Sequence, residues 1–128
     1  MNILGIDFGT KRIGLAWLQA GLDVILPFGV IENKGEVKVL AEIKKIVSAE
    51  GINEVVIGLP IFVDGKDNEW TEVVKKFSEK LKQEIKLPVH LVDERFSSRA
   101  ADRLGADGAS RDEKAAMLLL ESYVSHRP

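Results

Sequence analysis

Cysteine is absent from this 128-residue sequence, and histidine occurs only twice, as His90 and His126. The first absence excludes disulfides, zinc–thiolate centres, iron–sulfur clusters and cysteine nucleophiles. The two histidines lie far apart and share no ligand spacing, so an imidazole metal centre is not expected. Any metal would be held by oxygen, which favours magnesium, manganese or calcium. No apolar run approaches the roughly 18 residues that span a bilayer. The first residues also lack a basic segment, an apolar stretch and a cleavage site. The expectation is a cytoplasmic protein with no membrane partner.

Internal repeats, low-complexity tracts and linkers are missing as well, so residues 1–128 read as a single domain. A chain of this length buries roughly two thirds of its unfolded surface without staples. The formal charge of −2 neither suggests nor forbids nucleic acid. A phosphate-binding surface would have to be a local basic patch.

What is present is a regular alternation of apolar segments. Residues 2–6, 12–18 and 24–31 read as three short strands, the last two joined by a turn around Gly21. Such short connections make antiparallel neighbours. Residues 36–50 carry a helical stripe through Val39, Leu40, Ile43, Ile46 and Val47, stopped by Gly51. A buried strand follows at 54–58, then an amphipathic helix at 68–85 and a fifth strand at 88–92. A short helix is expected over 97–104 and a final one over 111–125. Strands joined by helices must be parallel crossovers. The predicted class is α/β, a five-stranded mixed sheet of a three-stranded antiparallel meander and two parallel strands, with helices on both faces.

The opening GIDFGTKRIGLA carries the first chemical signal. Asp7-Phe8-Gly9 spells a kinase magnesium motif, but only six residues precede it, and the chain has no P-loop and no G-x-G-x-x-G. A strand followed by D-x-G-T is also similar to the phosphate hairpin of actin-like ATPases. Those proteins close two such domains over a nucleotide, whereas one is present here. The remaining functional reading makes Asp7 a metal ligand in a one-domain phosphodiesterase. Gly9 and Gly14 would allow close approach of backbone and phosphate, and Lys11 and Arg12 would contact phosphate. The plain alternative is a turn-starting Asp with two solvated cations.

Two more carboxylates converge on that reading. The carboxyl ends of strands one, four and five open on one sheet edge, where open α/β sheets place their sites. The fifth strand delivers Asp93 and Glu94 there, and alternation lets only one of them share a metal with Asp7. Glu94 is the choice, with Asp93 supporting the turn. On the last helix, Ser110 and Glu113 fit a capping box, which leaves Asp112 without a capping role. Its helical neighbours Ala115, Ala116, Leu119 and Leu120 form a stripe that must face the sheet. A carboxylate on such a stripe is costly unless paired or bound to metal, although the helix dipole alone favours Asp in a first turn. Three carboxylates at one edge need a cation, and a hard divalent ion is the natural one.

GIDFGTKRIGLA, VIGLP with Asp64-Gly65 after it, VDERFSS and RDEKAA follow one another along nearly the whole chain. In that order they resemble the motifs of the YqgF/RuvX family. These bacterial proteins are similar to the Holliday junction resolvase RuvC and are described as candidate nucleases for precursor 16S ribosomal RNA. The resemblance implies an RNase H-like fold and catalytic, metal-binding roles for Asp7, Glu94 and Asp112 with Mg2+ or Mn2+. By the same analogy, cleavage leaves a 5′-phosphate and a 3′-hydroxyl. The nucleic acid implied is pre-16S rRNA, with branched DNA as the alternative and a non-catalytic RNA- or ribosome-binding module as a third reading. Lys11, Arg12, Arg95, Arg99, Arg103 and Arg111 are the candidate phosphate contacts, and Ser97 keeps a hydroxyl where the family usually has Thr. Arg95, Arg99 and Arg103 could equally be a solvated face balancing Asp102 and Asp107. The chain departs from the pattern at Phe62, where Asn is usual, and at Ala115, where RuvC-type enzymes carry a second acid on the final helix. It also lacks their carboxylate near the fourth strand. Three principal ligands remain.

Overall fold

The computed structural model describes residues 2–19, 21, 24–59, 69–93 and 110–125. These form β1 (Ile3–Phe8), β2 (Arg12–Leu18), β3 (Ile25–Glu32), α1 (Glu36–Ala49), β4 (Glu54–Leu59), α2 (Glu69–Ile85), β5 (Val89–Asp93) and α3 (Arg111–Ser125). The strands lie in the order β3-β2-β1-β4-β5. β1, β2 and β3 are antiparallel neighbours, while β1, β4 and β5 run parallel. This is the mixed sheet expected from the sequence. The helix expected over 97–104 lies outside the described residues.

Connectivity decides which face each helix covers. The crossovers β3–α1–β4 and β4–α2–β5 both move in the same direction along the sheet. Their right-handedness therefore puts α1 and α2 on one face, and α3 returns over the other. Each face has its own core. Leu4, Ile6, Phe8, Ile13, Leu15, Val55 and Ile57 pack under Val39, Ile43 and Val47 of α1 and Val74, Phe77 and Leu81 of α2. Ile3, Ala16 and Val56 pack under Ala116, Met117 and Leu120 of α3. In β1 the even-numbered residues thus face α1 and α2, and the odd-numbered ones, Asp7 included, face α3.

β1 runs two residues further than the sequence pattern suggests, through Asp7 to Phe8. Phe8 explains the extension. Its ring lies 4.6 Å from that of Phe77 and 5.4 Å from that of Trp70, both on α2. Burying such a ring is worth roughly 1.5–3 kcal/mol, enough to hold the strand straight past a carboxylate. β3 contains a bulge: Leu15 pairs with Gly29 and Ala16 with Pro27. The extra residue, Phe28, meets Trp17 edge-on at 5.2 Å. Bulge and proline together blunt this edge of the sheet against pairing with another strand.

α3 sits unusually close to the sheet, because glycine lies beneath it twice. A Cβ on Gly14 would run into the backbone carbonyl of Asp112, and one on Gly5 would stand 2.6 Å from Leu120 Cγ and 3.1 Å from the Ala116 carbonyl oxygen. At Gly14 the overlap is with backbone that cannot yield, whereas at Gly5 the overlap is with a side chain and the backbone contact is only tight. Gly14→Ala should accordingly cost about 1–3 kcal/mol of stability and Gly5→Ala distinctly less. Urea unfolding of both variants checks this, and equal midpoints would contradict it.

The two crossover helices end alike on unlike residues. After α1, Gly51 takes φ +60°, and after α2, Lys86 takes φ +57° while its N–H donates to the Lys82 carbonyl at 3.0 Å. A left-handed lysine carries a Cβ penalty that glycine avoids. Lys86→Gly should raise stability by about 0.5–1 kcal/mol, read as a higher urea midpoint with unchanged slope.

Candidate active site at the carboxyl end of β1

Asp7 is half-buried near the end of β1 and faces α3. Both of its lateral neighbours are bare. Gly14 of β2 lies directly across from it. On the other side, β1 pairs with β4 through Ile6 and Ile57, and continuing that register by one residue brings Gly58 alongside. Gly58 pairs with Val92 of β5, which packs on the α3 side. The carboxylate therefore stands between two strands that offer backbone and no side chain. The sequence alone gives Gly14 one duty, close approach of backbone and phosphate. The structure adds a second demand on that position, the seating of α3.

The start of α3 brings the second carboxylate to the same corner. Ser110 Oγ accepts from the Glu113 N–H at 3.2 Å, and Glu113 Oε1 accepts from the Ser110 N–H at 3.0 Å. This reciprocal pair is the capping box expected from Ser-Arg-Asp-Glu. It fixes the first turn and leaves the Asp112 side chain for other contacts. Asp112 backbone presses on Gly14, and Gly14 faces Asp7 across a pair of strands about 5 Å apart. Asp7 and Asp112, from opposite ends of the chain, thus share one corner of the α3 face.

Sequence reasoning did not foresee what balances that corner. Arg12 Nε donates to Asp112 Oδ2 at 2.9 Å. Arg12 lies two residues before Gly14 on β2, so the pleat directs both to the α3 side. One admits the helix by having no side chain, and the other reaches its first turn with a long one. The Arg12 side chain is 67% exposed and that of Asp112 27%, so the pair sits at the rim and is worth about 0.2–1 kcal/mol. Its only sequence signal was an arginine on the same strand face as Gly14.

The turn that carries the cations is itself tied down. A Cβ on Gly9 would meet the Arg12 carbonyl, so only glycine permits this tight hairpin. Asn33, just beyond β3, donates its backbone N–H to the Lys11 carbonyl and its Nδ2 to the Gly9 carbonyl, each at 2.9 Å. Lys11 and Arg111 are exposed near the corner. Asp93 pairs in register with Leu59, which packs on the α1 and α2 core, so Asp93 faces away from Asp7. Glu94, Arg95, Ser97, Arg99, Arg103 and Phe62 lie outside the described residues.

The far end of the sheet holds another polar pair, which no sequence motif marks. Glu54 is the charged residue in the buried strand β4. It lies 7% exposed, with Oε2 3.4 Å from His90 Nε2, and His90 rests 5.1 Å from the Tyr123 ring. This pair belongs to the end of the sheet opposite Asp7.

The donor set at the Asp7 corner fits a hard divalent cation as far as it is described. Both aspartates are half-buried and share this corner, and among the described residues no histidine or cysteine stands with them. Among the described residues, no group of three potential ligands is assembled. A third protein ligand would have to come from elsewhere.

Comparison with known proteins agrees with this architecture. The family profile described as "RuvX: Holliday junction resolvase" matches residues 1–126. A Maridesulfovibrio salexigens protein named "Putative pre-16S rRNA nuclease" is 38% identical, covering 98% of each chain. A Koribacter versatilis protein of the same name is 34% identical over 98% of this chain and 88% of its own. Among solved structures, Thermus thermophilus RuvC in complex with a Holliday junction substrate superposes with a TM-score of 0.69 at 16% identity, covering 93% of this chain and 89% of that one. The fowlpox virus Holliday junction resolvase gives 0.61 at 13% identity over 98% of both. These likenesses at low identity establish a fold of the RuvC type. With the family profile spanning almost the entire sequence and relatives above 30% identity along its whole length, the chain belongs to the RuvX family.

Proposed function

We propose that this protein hydrolyses phosphodiester bonds in nucleic acid, with Asp7, Glu94 and Asp112 as ligands for magnesium or manganese, and that it trims the 5′ end of precursor 16S rRNA. The observation that carries this reading is the meeting of Asp7 and Asp112 at one corner, flanked by glycines on both neighbouring strands. The substrate assignment rests on relatives named as pre-16S rRNA nucleases.

A divalent ion held there would supply charge against the phosphoryl oxygens and a more acidic water as nucleophile. Asp7, fixed by the Phe8 anchor, would hold the position closest to the sheet. Asp112 would close the α3 side, and Glu94, the next residue after β5, the third. Lys11, Arg12 and Arg111 would bind the phosphates flanking the scissile bond, with Arg95 and Arg99 extending that contact. Cleavage that leaves the 5′-phosphate on the downstream fragment suits removal of a leader. A second reading, cleavage of branched DNA, is favoured by the family's description and by the RuvC-type fold.

The test offers precursor rRNA with its 5′ leader beside a four-way DNA junction, in magnesium or manganese. The expected result is leader cleavage that falls roughly a hundredfold or more in Asp7→Asn and in Asp112→Asn, since losing a ligand removes several kcal/mol of charge stabilisation. Junction cleavage alone would transfer the assignment to DNA. RNA binding without cleavage by wild type would leave a binding module.

Metal occupancy can be read without any substrate. Millimolar manganese should raise the melting temperature of the wild type by mass action and leave that of Asp7→Asn unmoved. An equal rise in both would place the metal elsewhere.

A further inference from the structure

We propose that Arg12 is a built-in counter-ion, which neutralises Asp112 while the site is free of metal and passes to a substrate phosphate when a divalent ion takes the carboxylate. The inference rests on the metal-dependent nuclease reading above and adds an exchange that links metal and substrate at one side chain.

Three observations point to exchange rather than to a permanent strut. First, the contact is single: Nε alone bonds to Oδ2 at 2.9 Å, not the two-pronged fork that gives arginine–carboxylate pairs their strength. With the arginine 67% exposed, solvent competes for it. Second, α3 does not need the pair to stay in place. Its first turn is fixed by the reciprocal bonds of Ser110 and Glu113, and its close seating by Gly14 and Gly5. Third, the carboxylate that would serve the metal already carries Arg12 on Oδ2. A guanidinium and a divalent ion held by one carboxylate repel each other, so each weakens the other's hold and the stronger cation favours release of the weaker.

The direction of handover follows from where Arg12 stands. It begins β2 just after the Gly9–Lys11 turn, beside Lys11, on the face shared by Asp7. Once released, its planar donor fork matches a phosphate at least as well as a carboxylate. Metal binding would then tighten the hold on nucleic acid, and nucleic acid would tighten the hold on metal, by the same factor.

Two measurements without turnover test this. In manganese titrations followed by calorimetry, Arg12→Gln should bind the ion about three- to tenfold more tightly than wild type, because a competing cation is gone; a coupling of roughly 1 kcal/mol gives that factor. A strut that merely positions Asp112 predicts the opposite sign. The second measurement is binding of a fluorescent single-stranded RNA in EDTA. Asp112→Asn should tighten it several-fold by freeing Arg12, and that gain should vanish in the Arg12→Gln, Asp112→Asn double variant. Weaker or unchanged manganese binding by Arg12→Gln, or a gain that persists in the double variant, overturns the exchange. If wild type binds manganese and Asp7→Asn does not, the metal site itself survives that outcome. Failure of wild type to bind manganese at all would sink the site and the exchange together.

Discussion

The seating of a helix backbone on a strand backbone, α3 on Gly14, governs the chemistry of this molecule. Helices normally stand about 10 Å from a sheet because side chains fill the gap. Here the Asp112 carbonyl occupies the space a Cβ would need, and the first turn of α3 is drawn down beside β1. That contact places a carboxylate from the end of the chain next to one from its beginning. Charge then has to be balanced, and Arg12 balances it from the same strand face at 2.9 Å. The geometry of the corner is thus first of all a consequence of packing.

Much of this was legible in residue order. The β2 and α3 boundaries follow directly from apolar alternation and from a capping box. The α3 face of Asp7 follows from period two along β1 once α3 is known to cover that face. What escaped was set by distant partners. β1 outlasts its apolar run because Phe8 finds Trp70 and Phe77 on a helix far along the chain. The bulge at Phe28 and the buried pairing of Glu54 with His90 depend on strand neighbours that no local pattern specifies. Arg12 looked like a phosphate ligand, and its partner Asp112 could not be named until α3 had a position.

The fold by itself would not have assigned an activity. Structures of the RuvC type share this sheet and helix arrangement at under 20% identity, and similar folds host unrelated chemistries. What favours hydrolysis is a corner where glycines flank Asp7, supplied with a second carboxylate and a cationic turn. Asn33 holds that turn through two bonds to Gly9 and Lys11, so the cations are displayed from a rigid base rather than a loose loop.

Joint binding of a divalent ion by Asp7 and Asp112, at the place Arg12 now neutralises, is open to direct observation by anomalous diffraction at the manganese edge from manganese-soaked crystals. The expected result is a peak about 2–2.5 Å from carboxylate oxygens of both residues, with the Arg12 guanidinium withdrawn from Asp112. Anomalous density elsewhere, with the 2.9 Å bond between Arg12 and Asp112 intact, would contradict it.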